Sequence, residues 1–283
     1  MSKTWLVTGT STGFGRSLAR FLANQKNVNL VATARNTDKL SYLDQYDHGQ
    51  ILKAKLDVTN KDEIKQVVKA AVDKFGGIDV LDNNAGLGYI SSFEEADDKD
   101  AKYMFDVNVW GLVHMTQAVL PVMRKQHSGT VVNMSSLAGI HGAPALSFYN
   151  ATKYAVEGLM DSFNKEVQGT GIKVMLVEPS GFRTDWGGRS SKKKPSKVNF
   201  YSNVNENMRG IEQTAGHEAG NPDTAAQIVY NQVTYHFADL PLHLPIGKSC
   251  VENAIKHYSD LADHYKKMTY LAISADNQAP LKK

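Results

Sequence analysis

Tyr149 and Lys153 have residue types and a spacing suited to proton transfer at an oxygen atom. They are four residues apart in Tyr149-Asn-Ala-Thr-Lys153, so on a helix they lie on the same face. An unperturbed tyrosine has a pKa of about 10, too high for efficient proton exchange at neutral pH. A nearby ammonium group favours tyrosinate and lowers that pKa. We therefore predict Tyr149 as a general acid and base, and Lys153 as the group that tunes it.

Two further polar residues complete the predicted catalytic set. Ser136 follows a predicted strand and is placed to bond the oxygen of a substrate carbonyl beside the tyrosine hydroxyl. Asn108 falls inside a predicted long helix, where asparagine is unfavourable. We interpret Asn108 as holding a water that relays protons from Lys153. Each residue alone is more typical of a turn, a half-buried aromatic or a solvated lysine, so the prediction depends on their joint spacing.

A glycine-rich turn near the N terminus indicates a dinucleotide site. Its spacing, G-x-x-x-G-x-G, differs from the more common G-x-G-x-x-G. Gly9 permits a tight turn after the first strand, Gly13 permits close approach to a pyrophosphate, and Gly15 permits the helix to pack on the sheet. The helix N terminus then presents unpaired N–H groups to the phosphates. The same turn supplies the other predicted cofactor contacts, Ser11, Thr12 and Phe14.

The end of the second strand predicts which nicotinamide cofactor binds. An NAD site has an acidic residue about 20 residues after the glycines, which accepts from the ribose 2′-hydroxyl. This chain has Ala34 there, followed by Arg35. A guanidinium can pair with a 2′-phosphate and stack on adenine, so NADP(H) is favoured over NAD(H).

Two later turns are also assigned to the cofactor. Asp57 and the N–H of Val58, just past the third strand, are placed to bond the adenine. The turn of Asn84, Ala85 and Gly86, just past the fourth strand, is expected to pass under the adenosine ribose. Read alone, each is typical of an ordinary turn.

The periodicity predicts strands alternating with helices. The predicted strands are residues 5–8, 28–33, 51–56, 78–81, 130–134, 172–177 and 242–246. The predicted helices are residues 13–25, 37–46, 61–75, 101–126, 148–168 and an amphipathic C-terminal helix, about 249–273. Such alternation is typical of an α/β fold of the Rossmann type, doubly wound, with a mostly parallel seven-stranded sheet and helices on both faces.

We expect residues 1–283 to form a single domain, since no linker or repeat divides them. Residues 181–221 are a long irregular stretch that we interpret as a substrate lid, with a solvated insertion as the alternative.

The net charge of +3 does not favour binding of nucleic acid, and the apolar runs are too short to span a bilayer. One cysteine, Cys250, fits a reducing compartment, and the apolar stretch at the start is too short for a signal peptide, so we expect a cytoplasmic protein. No metal site is predicted.

The motifs together resemble those of the short-chain dehydrogenase/reductase family, from Thr8 to about Ile246. They are Thr8-Gly-x-x-x-Gly-x-Gly15, Asn83-Asn-Ala-Gly86, Asn108, Ser136, Tyr149-x-x-x-Lys153 and Pro179-Ser-Gly-Phe-Arg-Thr184. The resemblance implies a catalytic tetrad at Asn108, Ser136, Tyr149 and Lys153. It also implies that a proline turn contacts the nicotinamide and phosphates, through Pro179, Gly181, Phe182 and Thr184. Ser180 stands where the family usually has glycine. The stretch from Val177 to Asp185 resembles the 17β-hydroxysteroid-dehydrogenase-like branch.

The resemblance implies an NADP(H)-dependent carbonyl reductase or alcohol dehydrogenase with a small-molecule substrate. Two alternatives stay open: reduction of a 3-oxoacyl group on an acidic carrier protein met by Lys192–Lys194, and a non-catalytic NADP-sensing protein. Six apolar side chains are candidates for the substrate pocket: Tyr89, Phe93, Leu146, Trp186, Phe200 and Tyr201. The family also implies a homodimer or homotetramer, which Val109, Leu112, Val113 and Met115 on the long helix permit.

Overall fold

A computed structural model of the protein describes residues 2–276. Its centre is a seven-stranded sheet in the order β3-β2-β1-β4-β6-β7-β9, in which every neighbouring pair is parallel. The strands are β1 (Lys3–Val7), β2 (Val28–Ala34), β3 (Ile51–Lys55), β4 (Val80–Asn83), β6 (Gly129–Met134), β7 (Ile172–Pro179) and β9 (His243–Ile246). The predicted Rossmann-type fold is confirmed, and its sheet is wholly parallel.

Helices cover both faces of this sheet. They are α1 (Gly13–Ala23), α2 (Lys61–Phe75), α3 (Asp98–Phe105), α4 (Leu112–Gln126), α5 (Ser147–Glu166), α6 (Ser202–Thr214), α7 (Pro222–Tyr235) and α8 (Lys248–Ile273). Successive residues of β1 point to opposite layers, so Trp5 packs with α1 and α7 while Leu6 packs with α2, α4 and α5. Continuous apolar strands are buried on both faces for this reason.

Local signals set several helix ends. The Asn60 side chain accepts from the N–H groups of Asp62 and Glu63 and so caps α2. Gly76 ends the same helix in the left-handed region, at φ 82°. The long helix begins at Asp98, three residues before the predicted start, because Asp97 caps it through Lys99 and Asp100. Between α3 and α4 the segment Asp106–Gly111 is a π-helix, and this segment carries Asn108.

Other segments differ from the prediction. The helix predicted over 37–46 is present with these bounds, Thr37–Tyr46, and is of the 3-10 type. The stretch 181–221 is not irregular: it contains α6 and β8 (Ser191–Lys194), which pairs in parallel with β5 (Gly88–Ser91). No element was predicted over 222–241, where α7 packs on the sheet through Ala225, Val229 and Val233.

The helix residues predicted to permit oligomer contacts lie largely inside the subunit. Val109 is buried, and Leu112 and Met115 belong to the core between α2, α4 and α5. The exposed apolar residues of these helices are others, notably Trp110 and Tyr154. The predicted dimer or tetramer itself stays a prediction. Within residues 2–276, no helix is long and apolar enough to cross a membrane.

Candidate active site

The parallel strands end at one edge of the sheet, and a cavity of about 930 Å³ opens there. This volume lies at the upper end for sites that bind small molecules. Nearly all predicted site residues line the cavity, from Gly9 at one end to Lys153 in the middle and Thr184 at the other side. Gly15 and Asn108 do not line it, because each is packed behind the first layer of residues.

The start of α1 forms one end of the cavity. Thr12 is extended, and in the described chain no side chain caps the helix and no acidic residue occupies its first turn. The first-turn N–H groups and the positive end of the helix dipole are therefore directed at this part of the cavity. Gly9 and Gly13 adopt left-handed backbone, at φ 72° and 56°. A side chain at Gly13 would face Thr184, whose Cβ lies 3.6 Å from the position of such a Cβ.

Asn84 has a structural function at this end. Its side-chain amide donates to the carbonyl oxygens of Thr8 and Gly9, at 2.8 and 3.2 Å. The Thr8 hydroxyl in turn accepts from the N–H groups of Asn84 and Ala85. A methyl group on Gly15 would meet the Asn84 amide, so the third glycine is needed for this packing. These bonds lock the turn after β1 to the turn after β4.

Cationic residues surround the end of β2. Ala34 is buried, and Arg35 is exposed, with Nη1 donating to the Tyr103 hydroxyl at 3.2 Å. Lys39 and Arg189 also line the cavity, although neither is among the residues predicted from the sequence. Lys39 is four residues after Arg35, so the local sequence could have indicated that the two side chains lie close together. Arg189 comes from the distant segment before β8, where the sequence carries no such signal.

Asp57 and Val58 line the cavity beside these cations. One carboxylate oxygen of Asp57 accepts from both the N–H and the hydroxyl of Thr59, at 2.9 and 2.7 Å. Asp57 therefore forms the ordinary helix-preceding turn considered from the sequence, with its second oxygen outside this turn. The Val58 side chain packs against Gly111 of the π-helix, where a Cβ would overlap it.

Ser136, Tyr149 and Lys153 meet in the middle of the cavity. Tyr149 and Lys153 project from the same face of α5, and the Lys153 ammonium lies 5.8 Å from the centre of the Tyr149 ring. Lys153 Nζ donates to the carbonyl oxygen of Met134, at the end of β6, at 2.7 Å. The Ser136 hydroxyl accepts from the N–H of Ala138 at 3.1 Å. Trp186 covers the phenol, with ring centres 4.9 Å apart.

Burial shifts the pKa values of Tyr149 and Lys153. It raises the pKa of Tyr149 to about 12, while the nearby Ser136 hydroxyl acts in the opposite direction. It lowers the pKa of Lys153 to about 8, which the charge of Glu157 partly offsets. The direction for Tyr149 is opposite to the one expected from the ammonium group alone, because desolvation of the phenolate is the largest effect on its pKa.

Asn108 is buried in the π-helix and holds a loop. Its side-chain oxygen accepts from the N–H of Leu87, and its amide donates to the Leu87 carbonyl, both at 2.9 Å. The amide also donates to the Thr152 hydroxyl at 3.2 Å. These bonds give a structural reason for an asparagine at this position, one that the sequence analysis did not foresee.

The proline turn follows β7 along the cavity wall. Phe182 is buried and packs on Phe14 of α1, with ring centres 5.0 Å apart. The Thr184 hydroxyl accepts from the N–H of Trp186 at 3.3 Å. Ser180, in place of the usual glycine, donates its N–H to Ile246 of β9 at 3.0 Å. The turn therefore remains joined to the sheet despite this substitution.

Only half of the predicted pocket wall lines the cavity. Tyr89, Leu146 and Trp186 do, but Phe93, Phe200 and Tyr201 do not. Phe93 is 74% exposed and stacks on Phe148, and Phe200 is 88% exposed. An apolar side chain can face the cavity or the solvent, so residue type alone could not separate the lining residues from the others. Two of the three lysines considered for a carrier protein are already paired, Lys192 with Asp100 and Lys193 with Glu212.

An acid–histidine cluster lies behind Lys153 and was missed by the sequence analysis. His243 Nδ1 is 2.6 Å from Glu178 and 3.6 Å from Glu157, and the Ser135 hydroxyl donates to Glu157. Burial, together with the charge of Glu178, raises the pKa of Glu157 to about 7. The bond to Glu178 raises the pKa of His243. The three residues come from α5, β7 and β9, so no local pattern reveals them.

Comparisons with known proteins agree with this geometry. The family model for short chain dehydrogenase matches residues 3–195. The chain is 34% identical over 276 residues to oxidoreductase BOA17 of Botryotinia fuckeliana, covering 97% of this chain and 100% of that protein. Its structure is similar to that of a short-chain dehydrogenase from Streptomyces avermitilis, with a TM-score of 0.88, 31% identity and coverage of 97% and 98%. It is also similar to a serine dehydrogenase complexed with NADP+, with a TM-score of 0.73, 28% identity and coverage of 86% and 94%.

Proposed function

Because the chain belongs to the short-chain dehydrogenase family, we propose that it is an NADP(H)-dependent oxidoreductase that interconverts a ketone or aldehyde and its alcohol. One observation carries the proposal: a buried tyrosine and lysine share a single cavity with a half-buried serine and an uncapped helix start. The three side chains suit proton transfer at an oxygen atom, and the helix start suits the binding of a pyrophosphate.

The residues fit a nicotinamide dinucleotide. The uncapped first turn of α1 offers N–H donors to the phosphates, and Gly13 leaves the approach open. Arg35 and Lys39 offer positive charge to a 2′-phosphate at the end of β2, where the residue in the usual acidic position is Ala34. Thr184 faces the helix start from the proline turn. The similar serine dehydrogenase was complexed with NADP+, which agrees with this choice.

The side chains supply the proton chemistry. A nicotinamide held by these residues would supply the hydride for the carbonyl carbon and, in its oxidised form, a positive charge that favours tyrosinate. In the reducing direction Tyr149 donates its proton to the developing alkoxide oxygen, and Ser136 bonds the same oxygen. Lys153 favours the tyrosinate that remains and is held in place by Met134. Asn108 supports the site by fixing Leu87 and Thr152, next to the proposed proton relay.

The pocket wall supports an apolar carbonyl substrate. Tyr89, Leu146 and Trp186 form the apolar part of the wall near the phenol. A carbonyl group attached to a hydrophobic body would place that body against these side chains and its oxygen between Ser136 and Tyr149.

Tyr149→Phe tests the proposed chemistry. Loss of the general acid is expected to lower kcat by at least about 100-fold, with NADPH binding retained. Consumption of NADPH over a panel of ketones and aldehydes measures the first quantity, and NADPH fluorescence titration measures the second. Tyr154→Phe is the matched control, since it removes the same atom from an exposed tyrosine of the same helix. Equal turnover in wild type and Tyr149→Phe would refute the assignment.

Arg35→Asp tests the cofactor assignment. The new carboxylate repels a 2′-phosphate and can accept from a 2′-hydroxyl, so the ratio of kcat/KM for NADPH over NADH is expected to fall by at least about tenfold. Arg124→Asp, at the exposed end of α4, makes the same charge change far from the cavity and should leave the ratio unchanged. A ratio equal in all three proteins would contradict the role of Arg35.

A further inference from the structure

The last helix, α8, exposes a large apolar surface. Among the described residues, more than half of the exposed large hydrophobic side chains belong to this one helix. Ile255 is 64% exposed and Tyr265 is 67% exposed. Contiguous exposed apolar surface on a soluble protein marks an interaction site more often than scattered single residues do.

Within residues 2–276, only the beginning of α8 packs on the other elements. Cys250 is fully buried, and the His257 ring lies 5.7 Å from that of His141 at the cavity rim. From Tyr258 to Ile273 every residue is exposed. No other described element of the chain covers this part of the helix, so its apolar face is available to something outside the chain.

The spacing of the apolar residues is that of a coiled coil. The stripe alternates steps of three and four residues through Val251, Ala254, Tyr258, Leu261, Tyr265, Met268 and Ala272. Three such heptads match the pattern of a helix that packs along another helix. A repeat of 3.5 residues keeps the stripe directed at one partner helix along its length.

The charged residues lie away from this stripe. Between Val251 and Ile273 they are Glu252, Lys256, Asp260, Asp263, Lys266 and Lys267, which have no net charge. Ion pairs within the helix join Lys256 to Asp260 at 2.7 Å and Lys266 to Asp263 at 3.0 Å. A helix that binds an anionic membrane is instead rich in lysine and arginine on its polar face. The charge pattern therefore favours a protein partner over a lipid surface.

The flanks of the stripe suit an identical helix. They are Ile255, Ala262 and Thr269 on one side, and His257, His264 and Leu271 on the other. None carries a fixed charge, so two copies can approach across a two-fold axis without repulsion between like charges. The stripe is roughly 32 Å long, and its fully exposed part, from Tyr258 to Ala272, is roughly 21 Å. Two helices in contact along this part and its flanks bury on the order of 1,000 Å² in total, the size needed for a specific interface.

We propose that α8 pairs with α8 of a second copy of this chain, forming a two-helix coiled coil across a two-fold axis. The pairing covers Leu261, Tyr265 and Met268, and it does not depend on the proposed enzymatic activity.

Leu261→Glu tests the pairing. A carboxylate in the centre of the stripe should halve the mass of the assembly measured by sedimentation velocity, because one of its interfaces is lost. Lys267→Glu introduces the same side chain on the charged face of the same helix and should keep the wild-type mass. Circular dichroism and turnover report that both variants remain folded, as expected since Leu261 contacts solvent in the isolated subunit. A wild-type mass for folded Leu261→Glu contradicts the proposal.

A cysteine substitution identifies what lies opposite the stripe. Leu261 is at its midpoint, so in Leu261→Cys the new thiol meets its counterpart in either helix orientation. Mild oxidation should give a disulfide-linked dimer, whereas Lys267→Cys should not. The only native cysteine, Cys250, is buried. No cross-link in Leu261→Cys, or a monomeric wild type that sediments with vesicles of phosphatidylserine and phosphatidylcholine, would show a different occupant and overturn the proposal.

Discussion

Asp82 lies in the middle of β4 with a fully buried carboxyl group, and neither carboxyl oxygen has a hydrogen-bond partner within residues 2–276. Its strand neighbours in register are Val7 and Val132, both fully buried. The side chain alternates with Leu81 and so points to the layer of α1 and α7. A charged carboxylate in such an apolar position lacks compensation.

Burial raises the pKa of Asp82 from 3.8 to about 7. Since each pKa unit corresponds to about 1.4 kcal/mol, ionising this buried group costs about 4 kcal/mol relative to the unfolded chain. The folded state binds the proton more tightly than the unfolded state does. The contribution of Asp82 to stability therefore falls as pH rises from about 4 to about 7, and is constant above that range.

We predict that Asp82→Asn removes this pH dependence. The amide keeps the shape and the polarity of the protonated side chain, so the variant and wild type should have free energies of unfolding within about 1 kcal/mol at pH 4. At pH 8 the variant should be more stable by about 4 kcal/mol. Asp82→Val removes the polar group as well, and should gain about 1–3 kcal/mol more at every pH.

Urea unfolding followed by circular dichroism at several pH values measures these differences, with the protein concentration kept constant. At each pH the free energy of unfolding of wild type is subtracted from that of the variant, because the contributions of the other carboxyl groups then cancel. Asp73→Asn, at an exposed site on α2, is the control and should give a difference within about 0.5 kcal/mol that does not change with pH. A difference for Asp82→Asn that stays constant between pH 4 and pH 8 would refute the reasoning.

Two further predictions concern the site and its supports. Glu157→Gln removes a negative charge that raises the pKa of Lys153, so the limb of the kcat/KM profile that reports Lys153 should move to lower pH; Asp161→Gln, exposed on the same helix, should leave the profile in place. Gly15→Ala should lower the melting temperature and weaken NADPH binding, because its methyl group meets the Asn84 amide. Gly158→Ala, in open space on α5, should instead stabilise by about 0.5–1 kcal/mol, and equal melting temperatures for the two variants would contradict this account.

Much of the fold could be predicted because its signals are local. Continuous apolar strands alternate with amphipathic helices, and this periodicity fixed the seven parallel strands and their order of appearance. Asn60 and Gly76 each determine a helix end through bonds to adjacent residues or through backbone freedom. The type of helix could not be predicted: residues 37–46, predicted as a helix, form one of the 3-10 type between β2 and β3.

Most residues that line the candidate site were predicted from the sequence, and the charged cluster packed behind them was missed. The Tyr149–Lys153 spacing and the glycine turn can be read from short segments, and parallel strands necessarily bring them to one edge of the sheet. Glu157, Glu178 and His243 come from three separate elements. No local spacing joins them, so their cluster behind Lys153 follows only from the packing of α5 on β7 and β9.

The sequence by itself determined the residue types, their periodicity and hence the layers of this protein. Tertiary structure alone decided burial, and burial decided the charge states: the pKa values of Tyr149 and Asp82 are raised, and that of Lys153 is lowered. It also decided that Phe200 faces solvent while Trp186 covers the phenol. Desolvation depends on which distant segments meet around a group, and that information is absent from any short stretch of sequence.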